Sequence, residues 1–464
     1  MDSAQPAARA WLGATVISIA VFAGCWTASV VYWRSSGNTP SGIALGQLLL
    51  GLPAAILLAL WLGKKALQAR AGAPAQPAQN AASAAEPVRQ RAPLPAIVAG
   101  ALRLRGGDAP EELAEALRAN AAPCELDYEL TDDVGYPVLS GRVESCDPAS
   151  AREVMSAWLA QRGSAVPDFS DEQWRALSMA GAVVAELTQH ALMHPLLPDF
   201  LAAAQDERAA IALPVLHLQP ALPGYWQAAQ REAAARWLLH LVAEQGWPAE
   251  RLLPATRADA DAGFALVDAV ASCPGLALLV ACESYVGDDT VFDWSQRGIL
   301  FSGRNPRGQV PGEGAAGLLL ADAAQAALLA PDGHATLHGA RDGRRAVSAD
   351  ARGNINSELL SGLCKETLAE SQTEPAAVAT LCADADMRPS RTGELMGVAS
   401  MLLPELDQAT QMMSVGACCG SAGAVAPLAA LVLAHHAALA EDGPVLCISN
   451  SDSLYRCALM VRRA

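Results

Sequence analysis

The sequence predicts an α/β fold, a large domain of buried sheets preceded by two membrane-spanning helices. Three observations lead there. From residue 94 onward, strand-like apolar runs alternate with helix-like amphipathic runs, the pattern of sheets covered by helices. The chain has 464 residues and is 52% apolar, enough for a sizeable core without disulfides. Residues 11–33 and 42–62 carry no charge, and each stretch is long enough to cross a bilayer as a helix.

Residues 1–10 read as a tail. Trp11, Trp26, Tyr32, Trp33 and Trp61 lie mostly near the ends of the two apolar stretches, as interfacial aromatics do. The loop Arg34 to Ser41 is short, so residues 11–62 read as a membrane hairpin. A cleaved signal peptide is disfavoured, because the first apolar run outlasts an ordinary signal core and a second span follows. Lys64, Lys65, Arg70, Arg89 and Arg91 follow the second span, whereas the loop holds only Arg34. The positive-inside rule then puts both termini in the cytoplasm, with the inner membrane as the location. Residues 63–93 are rich in Ala, Pro and Gln and read as a flexible linker to the domain at 94–464. The net charge of −16 argues against duplex nucleic acid as a partner, since phosphate binding needs a basic face. Eleven cysteines at irregular positions, with no Cys-x-x-Cys, read as reduced, small apolar core residues in a cytoplasmic domain.

Leu94 to Leu104 reads as the first strand. Asp108 then reads as the N-cap of a helix reaching Arg118, with acids in its first turn. Ser150 to Gln161 and Asp171 to Met193 read as helices, Ile211 to Leu218 as a strand, and Tyr225 to Gln245 as a long amphipathic helix. Phe264 to Ala271 reads as a further helix, Gly275 to Cys282 as a buried strand, and Tyr285 to Trp294 as a short helix. Asn305 to Gly308 is a turn, where Pro306 presets φ and Gly308 gives freedom. Ala315 to Leu320 reads as a second buried strand, continued with a neighbour over Ala321 to Ala340. Helices over Asn354 to Glu370, Thr392 to Leu403 and Ala424 to Leu439 follow, with strands at Ala376 to Cys382, Pro444 to Ser449 and Arg456 to Arg462.

The stretch Cys282 to Asp322 carries an ordered set of motifs. Cys282-Glu283-Ser284 ends a strand, and a helix follows. Then come Arg297-Gly298-Ile299-Leu300-Phe301, the turn Asn305-Pro306-Arg307-Gly308, and Pro311-Gly312-Glu313-Gly314-Ala315. In order and spacing this resembles the middle of a β-ketoacyl synthase, a thiolase-fold condensing enzyme. Ser284, Asn305, Gly308, Pro311, Gly312, Glu313 and Gly314 hold that fold signature. The resemblance covers about residues 90 to 464 and is specific from about 270 onward. It implies a five-layer α-β-α-β-α sandwich over 94–464 and a homodimer.

The resemblance also implies a cysteine nucleophile, two catalytic histidines and a closing glycine-rich loop, and these positions are degenerate. No cysteine stands between Cys146 and Cys273. Alignment puts Ala383 at the first histidine, Met412 at a lysine, Ala417 at the second histidine and Asn450 at the start of the glycine loop. The scaffold residues remain while the chemical residues do not. The expected function is therefore a membrane-anchored, catalytically inactive ketosynthase-like scaffold or adaptor with a protein partner and no cofactor. Bacterial type VI secretion is a setting offered by analogy alone. The alternative is an acyl-thioester transferase with a displaced nucleophile, Cys418 or Cys419, whose thiolate a helix start would favour, or an acyl or coenzyme A binding module. No metal site is expected: His190 and His194 read as helix histidines, His334 and His338 as loop residues, and His435 and His436 face different ways. Asp384 and Asp386 read as a solvated loop.

Overall fold

The structure is a computed structural model that describes Trp26 and residues 94–255, 275–351 and 356–464. The chain divides into two compact units, Met1–Gln90 and Arg91–Ala464. In the first, Trp26 is helical and exposed. Apart from Trp26, both expected spans lie outside the described residues, as do the linker, the 264–271 helix and the Asn354 helix start. Among the described residues, no helix is long and apolar enough to cross a membrane.

The second unit runs β1 (Ala96–Leu104), α1 (Pro110–Arg118), β2 (Glu125–Thr131), β3 (Pro137–Ser140), α2 (Pro148–Gln161), α3 (Asp171–Leu192), α4 (Leu197–Ala202), β4 (Leu216–Ala221), α5 (Ala228–Glu244) and β5 (Leu252–Pro254). It continues with β6 (Leu276–Ser284), α6 (Asp288–Gln296), β7 (Glu313–Ala321), α7 (Ala323–Leu329), β8 (Ala335–Arg344), α8 (Glu358–Glu370), β9 (Thr380–Asp386) and α9 (Pro389–Leu402). The last elements are β10 (Met412–Val415), α10 (Gly416–Cys419), α11 (Val425–Ala440), β11 (Val445–Ser449) and β12 (Tyr455–Arg463).

Ten strands form one sheet in the order β10-β9-β11-β12-β8-β1-β7-β6-β4-β5. Among the described residues, its halves are joined by the pair Ile97 opposite Ala335. Strand parity divides the core into layers, because alternate side chains point to opposite faces. On β6, Leu276, Leu278, Val280 and Cys282 face α3 and α5, whereas Ala277, Leu279 and Ala281 face α11. On β9, Leu381, Ala383 and Ala385 face α8 and α9, whereas Cys382 faces α11. Helix α11 touches β1 and β7 on one side and β9, β11 and β12 on the other. The layers are therefore helix, half-sheet, α11, half-sheet, helix. Helix α11 can occupy the middle because its residues from Val425 to Leu433 are all apolar and buried; a helix apolar on every side is a core helix.

Local chemistry sets several boundaries. Ser170 and Gln173 form a reciprocal capping box at the start of α3. Asp108 is not an N-cap. That place falls to Ala109, Pro110 opens the helix, and the Asp108 N–H donates to Glu112 at 2.9 Å. Residues 321–340 do not continue as strand throughout. The Asp322 carboxylate accepts from the Gln325 N–H at 2.9 Å and starts α7 before β8 begins.

Candidate functional site

The inner strand ends converge on residues 416–424, between β10 and α11. The β7 bend lies directly against this segment. A methyl group on Gly312 would stand 1.8 Å from the Cys419 carbonyl oxygen. The Ser421 N–H donates to Val310 O at 2.9 Å, and the Gly141 N–H donates to Pro311 O at 2.8 Å. Gly423 has φ +52°, and a Cβ there would meet Glu283 Oε2 at 2.6 Å. Backbone therefore packs on backbone where the β7 bend meets residues 416–424. Of the expected signature, Ser284 and Glu313 are joined directly, the Ser284 hydroxyl donating to Glu313 at 2.9 Å. Asn305 shapes its own turn, its side-chain amide donating to Gly298 O and Leu300 O at 2.9 and 3.0 Å. Gly308 presses on Leu300 O, and Gly314 on Leu104.

The degenerate positions do not share one surface. Ala383 points outward into the α8–α9 cluster, and Met412 packs at the edge of the same cluster. Ala417 is exposed on α10. Asn450 is fully buried, and its side-chain amide donates to Arg391 O at 3.0 Å. Cys418 and Cys419 are buried in the central core, and α10 is four residues long. Burial pushes the Cys418 thiol up to about 12 and Cys419 well above the usual thiol value. This reverses the expectation of a helix-stabilised thiolate, because desolvation disfavours the charged form. The Cys418 Sγ–H donates to Val415 O at 3.1 Å, and the Cys124 Sγ–H donates to Cys418 O at 3.2 Å.

The structure instead brings carboxyl groups to the inner strand ends. Glu313 is completely buried. It accepts from Arg175 through Nε at 2.8 Å and Nη2 at 2.5 Å, and from the Val143 N–H at 2.8 Å. Glu283 accepts from the Tyr225 hydroxyl at 2.6 Å, and burial raises its carboxyl to about 8. Asp384 and Asp386 are not in a solvated loop. They end β9 and are buried. Asp384 accepts from the Ser449 and Ser451 hydroxyls at 2.6 and 2.8 Å and from the Asn450 and Ser451 N–H groups at 2.7 and 3.0 Å. Burial raises its pKa against those four donors. Asp386 pairs with Arg388, whose Nη2 is 2.7 Å away. Parity could have shown this: if Leu381 and Ala383 face outward, Asp384 and Asp386 face inward with Cys382. Glu283 and Tyr225, distant in sequence, gave no comparable signal.

The histidines do not assemble into a site. His190 is exposed, whereas His194 is buried with Nε2 2.9 Å from Gln325 Oε1. His338 lies on β8 rather than in a loop. Burial lowers His435 to about 4. Among the described residues, no group of three His, Cys, Asp or Glu is placed to hold a metal.

An open cleft of about 630 Å³ is walled by the 298–309 loop with Asp350 and Arg388. Arg388 is held by Asp386, Asp350 and the Ser451 carbonyl. Arg304 and Arg307 also line the cleft, are exposed, and have no acidic partner within 4 Å among the described residues. Two unpaired guanidinium groups in one wall suit an anion.

No family model matches the sequence, and no curated protein matches it. Among solved structures, an oxazolomycin ketosynthase domain from Streptomyces albus superposes with a TM-score of 0.52 at 14% identity, covering 80% of this chain and 74% of its own. The ketosynthase from module 6 of the bacillaene synthase of Bacillus subtilis gives 0.50 at 13% identity, covering 80% and 72%. Layer order, the central α11 and these likenesses agree: the chain has the thiolase-like ketosynthase fold.

Proposed function

We propose that this chain is a non-catalytic ketosynthase-fold protein, tethered to a bilayer by residues 11–62, whose domain serves as a scaffold or adaptor for other proteins. The observation that carries the reading is the burial of both candidate thiols against the β7 bend. Where condensing chemistry needs an ionisable thiol in an open tunnel, Cys418 and Cys419 are buried with raised pKa values, and the Gly312 backbone lies against Cys419. Type VI secretion remains a setting suggested by analogy of architecture. The test is to incubate the purified full-length chain with malonyl- and acyl-thioesters, following carbon dioxide release and intact mass. No release above buffer and no acyl adduct are expected. Turnover, or an adduct lost in Cys418→Ser/Cys419→Ser, would end this reading.

The Arg304–Arg307–Arg388 cleft favours a second reading, in which an anionic carrier such as coenzyme A is bound without turnover. Its phosphates would pair with the free guanidinium groups. A ligand of the native state raises the melting midpoint. Coenzyme A should therefore raise it for the wild type and not for Arg304→Glu/Arg307→Glu. An unchanged wild-type midpoint removes this second reading.

A further inference from the structure

The β2–β3 hairpin buries one face and exposes the other. Leu130 and Val138 pack on Val286, Val291 and Leu300. On the open side, Leu126 is 53% exposed, Tyr128 78%, Val134 65% and Tyr136 68%. Tyrosines bring apolar area with little rotamer entropy, which is why they recur at interfaces. The hairpin tip is already fixed. The Asp132 carboxylate accepts from the Val134 and Tyr136 N–H groups at 2.9 and 2.8 Å. Asp133 accepts from the Ser295 hydroxyl at 2.5 Å and the Gln296 side chain at 2.9 Å, both on α6. A partner would therefore pay little ordering cost on this side.

Charge identifies the partner. No Lys, Arg or His occurs from residue 119 to 141, while Glu125, Asp127, Glu129, Asp132 and Asp133 fall within nine positions. Arg105 reaches Glu125 at 2.9 Å and Arg142 reaches Asp127 at 2.7 Å. Glu129 is met by Arg142 only at 3.8 Å and stays 82% exposed. A second copy would set acid against acid on a chain of net charge −16, so self-docking through this face is disfavoured.

We propose that the β2–β3 hairpin docks a basic segment of a partner protein. The segment sets cations against Glu129 and the Tyr128 and Tyr136 rings, with apolar residues against Leu126 and Val134. This rests on the scaffold reading and goes further by naming the surface and the partner's chemistry. The test uses the full-length chain in detergent micelles and a fluorescein-labelled peptide of about ten residues made of Arg and Val. A peptide with Glu in place of every Arg is the control. Binding is read by anisotropy at physiological salt. The Arg peptide should bind more tightly than the Glu one, and Tyr128→Ser/Tyr136→Ser and Glu129→Lys should each weaken it about tenfold. Melting midpoints should stay at the wild-type value. Glu129→Lys changes only an exposed position, so it serves if the double variant folds poorly. Equal binding of both peptides, undiminished binding by Glu129→Lys, or sedimentation of the wild type as a dimer that Glu129→Lys dissociates would each overturn the proposal. Failure here leaves the scaffold reading standing, because that falls on thioester turnover instead.

Discussion

Glu313 and Glu283 are two buried carboxyl groups with opposite solutions. Glu313 is paired with Arg175 and accepts further bonds from Ser284 and Val143. Glu313→Ala would leave the Arg175 charge without its buried counter-ion, which typically costs about 3–5 kcal/mol. A urea titration should show the midpoint falling accordingly, and an unchanged midpoint would show that the pair does not hold the β7 bend. Among the described residues Glu283 has tyrosine donors and no cation beside it, and burial raises it from 4.5 to about 8. Its linkage has a definite sign. Below about pH 4.5 both folded and unfolded states keep the proton. Between about 4.5 and 8 the unfolded state releases it while the folded state holds it, so this group's contribution to stability falls as pH rises. The slope is at most about 1.4 kcal/mol per pH unit. Glu283→Gln should flatten the stability profile across that window, read from melting midpoints at several pH values. A profile parallel to wild type would show that Glu283 is not held neutral. Glu283 was visible in the sequence only as part of a strand end. Its state depends on Tyr225, 58 positions away, and no local pattern connects the two.

At the scale of elements, the pattern of apolar residues located the long core strands and helices, because burial on alternate faces or around a helix leaves a periodic trace, but it gave no sign of β2, β3, β5, α4 or α10. The trace weakened where capping and parity decide. Asp322 turned an expected strand into α7 by taking the Gln325 N–H. Ala383 was assigned an inward role by motif alignment, whereas the β9 pleat turns it outward. Two substitutions test the elements. Ser170→Ala removes one arm of the α3 capping box and should cost about 1 kcal/mol in chemical denaturation. Gly312→Ala drives a methyl group into Cys419 O. The bend and the 416–424 segment would have to separate, so a loss of about 3 kcal/mol or more is expected, read as a lower melting midpoint or insoluble expression. If Gly312→Ala melts like wild type, the centre is looser than the packing indicates.

At the scale of the molecule, the proposed anchor and the domain make separate predictions. The full-length chain should stay with membranes through alkaline carbonate extraction, and a chain starting at Leu94 should be released. Release of the full-length chain would refute the two spans at 11–33 and 42–62, which rest on their uncharged length. The sandwich was legible because one ordered stretch, residues 282–322, carries the bends that let two half-sheets meet, and those bends need particular glycines. The centre was only half legible. The sequence showed which catalytic side chains were missing from their expected positions but not what occupied the space.

The sequence by itself determined the alternation of strand and helix, the apolar stretches ahead of the domain, the acidic balance and the Gly312-Glu313-Gly314 bend. All are properties of composition, period or local backbone geometry. Only the tertiary structure decided that Cys418 and Cys419 are buried thiols with raised pKa values, that Asp384 and Asp386 are buried inner residues, and that the tyrosines of an acidic hairpin face outward. Protonation state and exposure depend on which distant groups displace water from a side chain, and those neighbours exist only once the chain has folded.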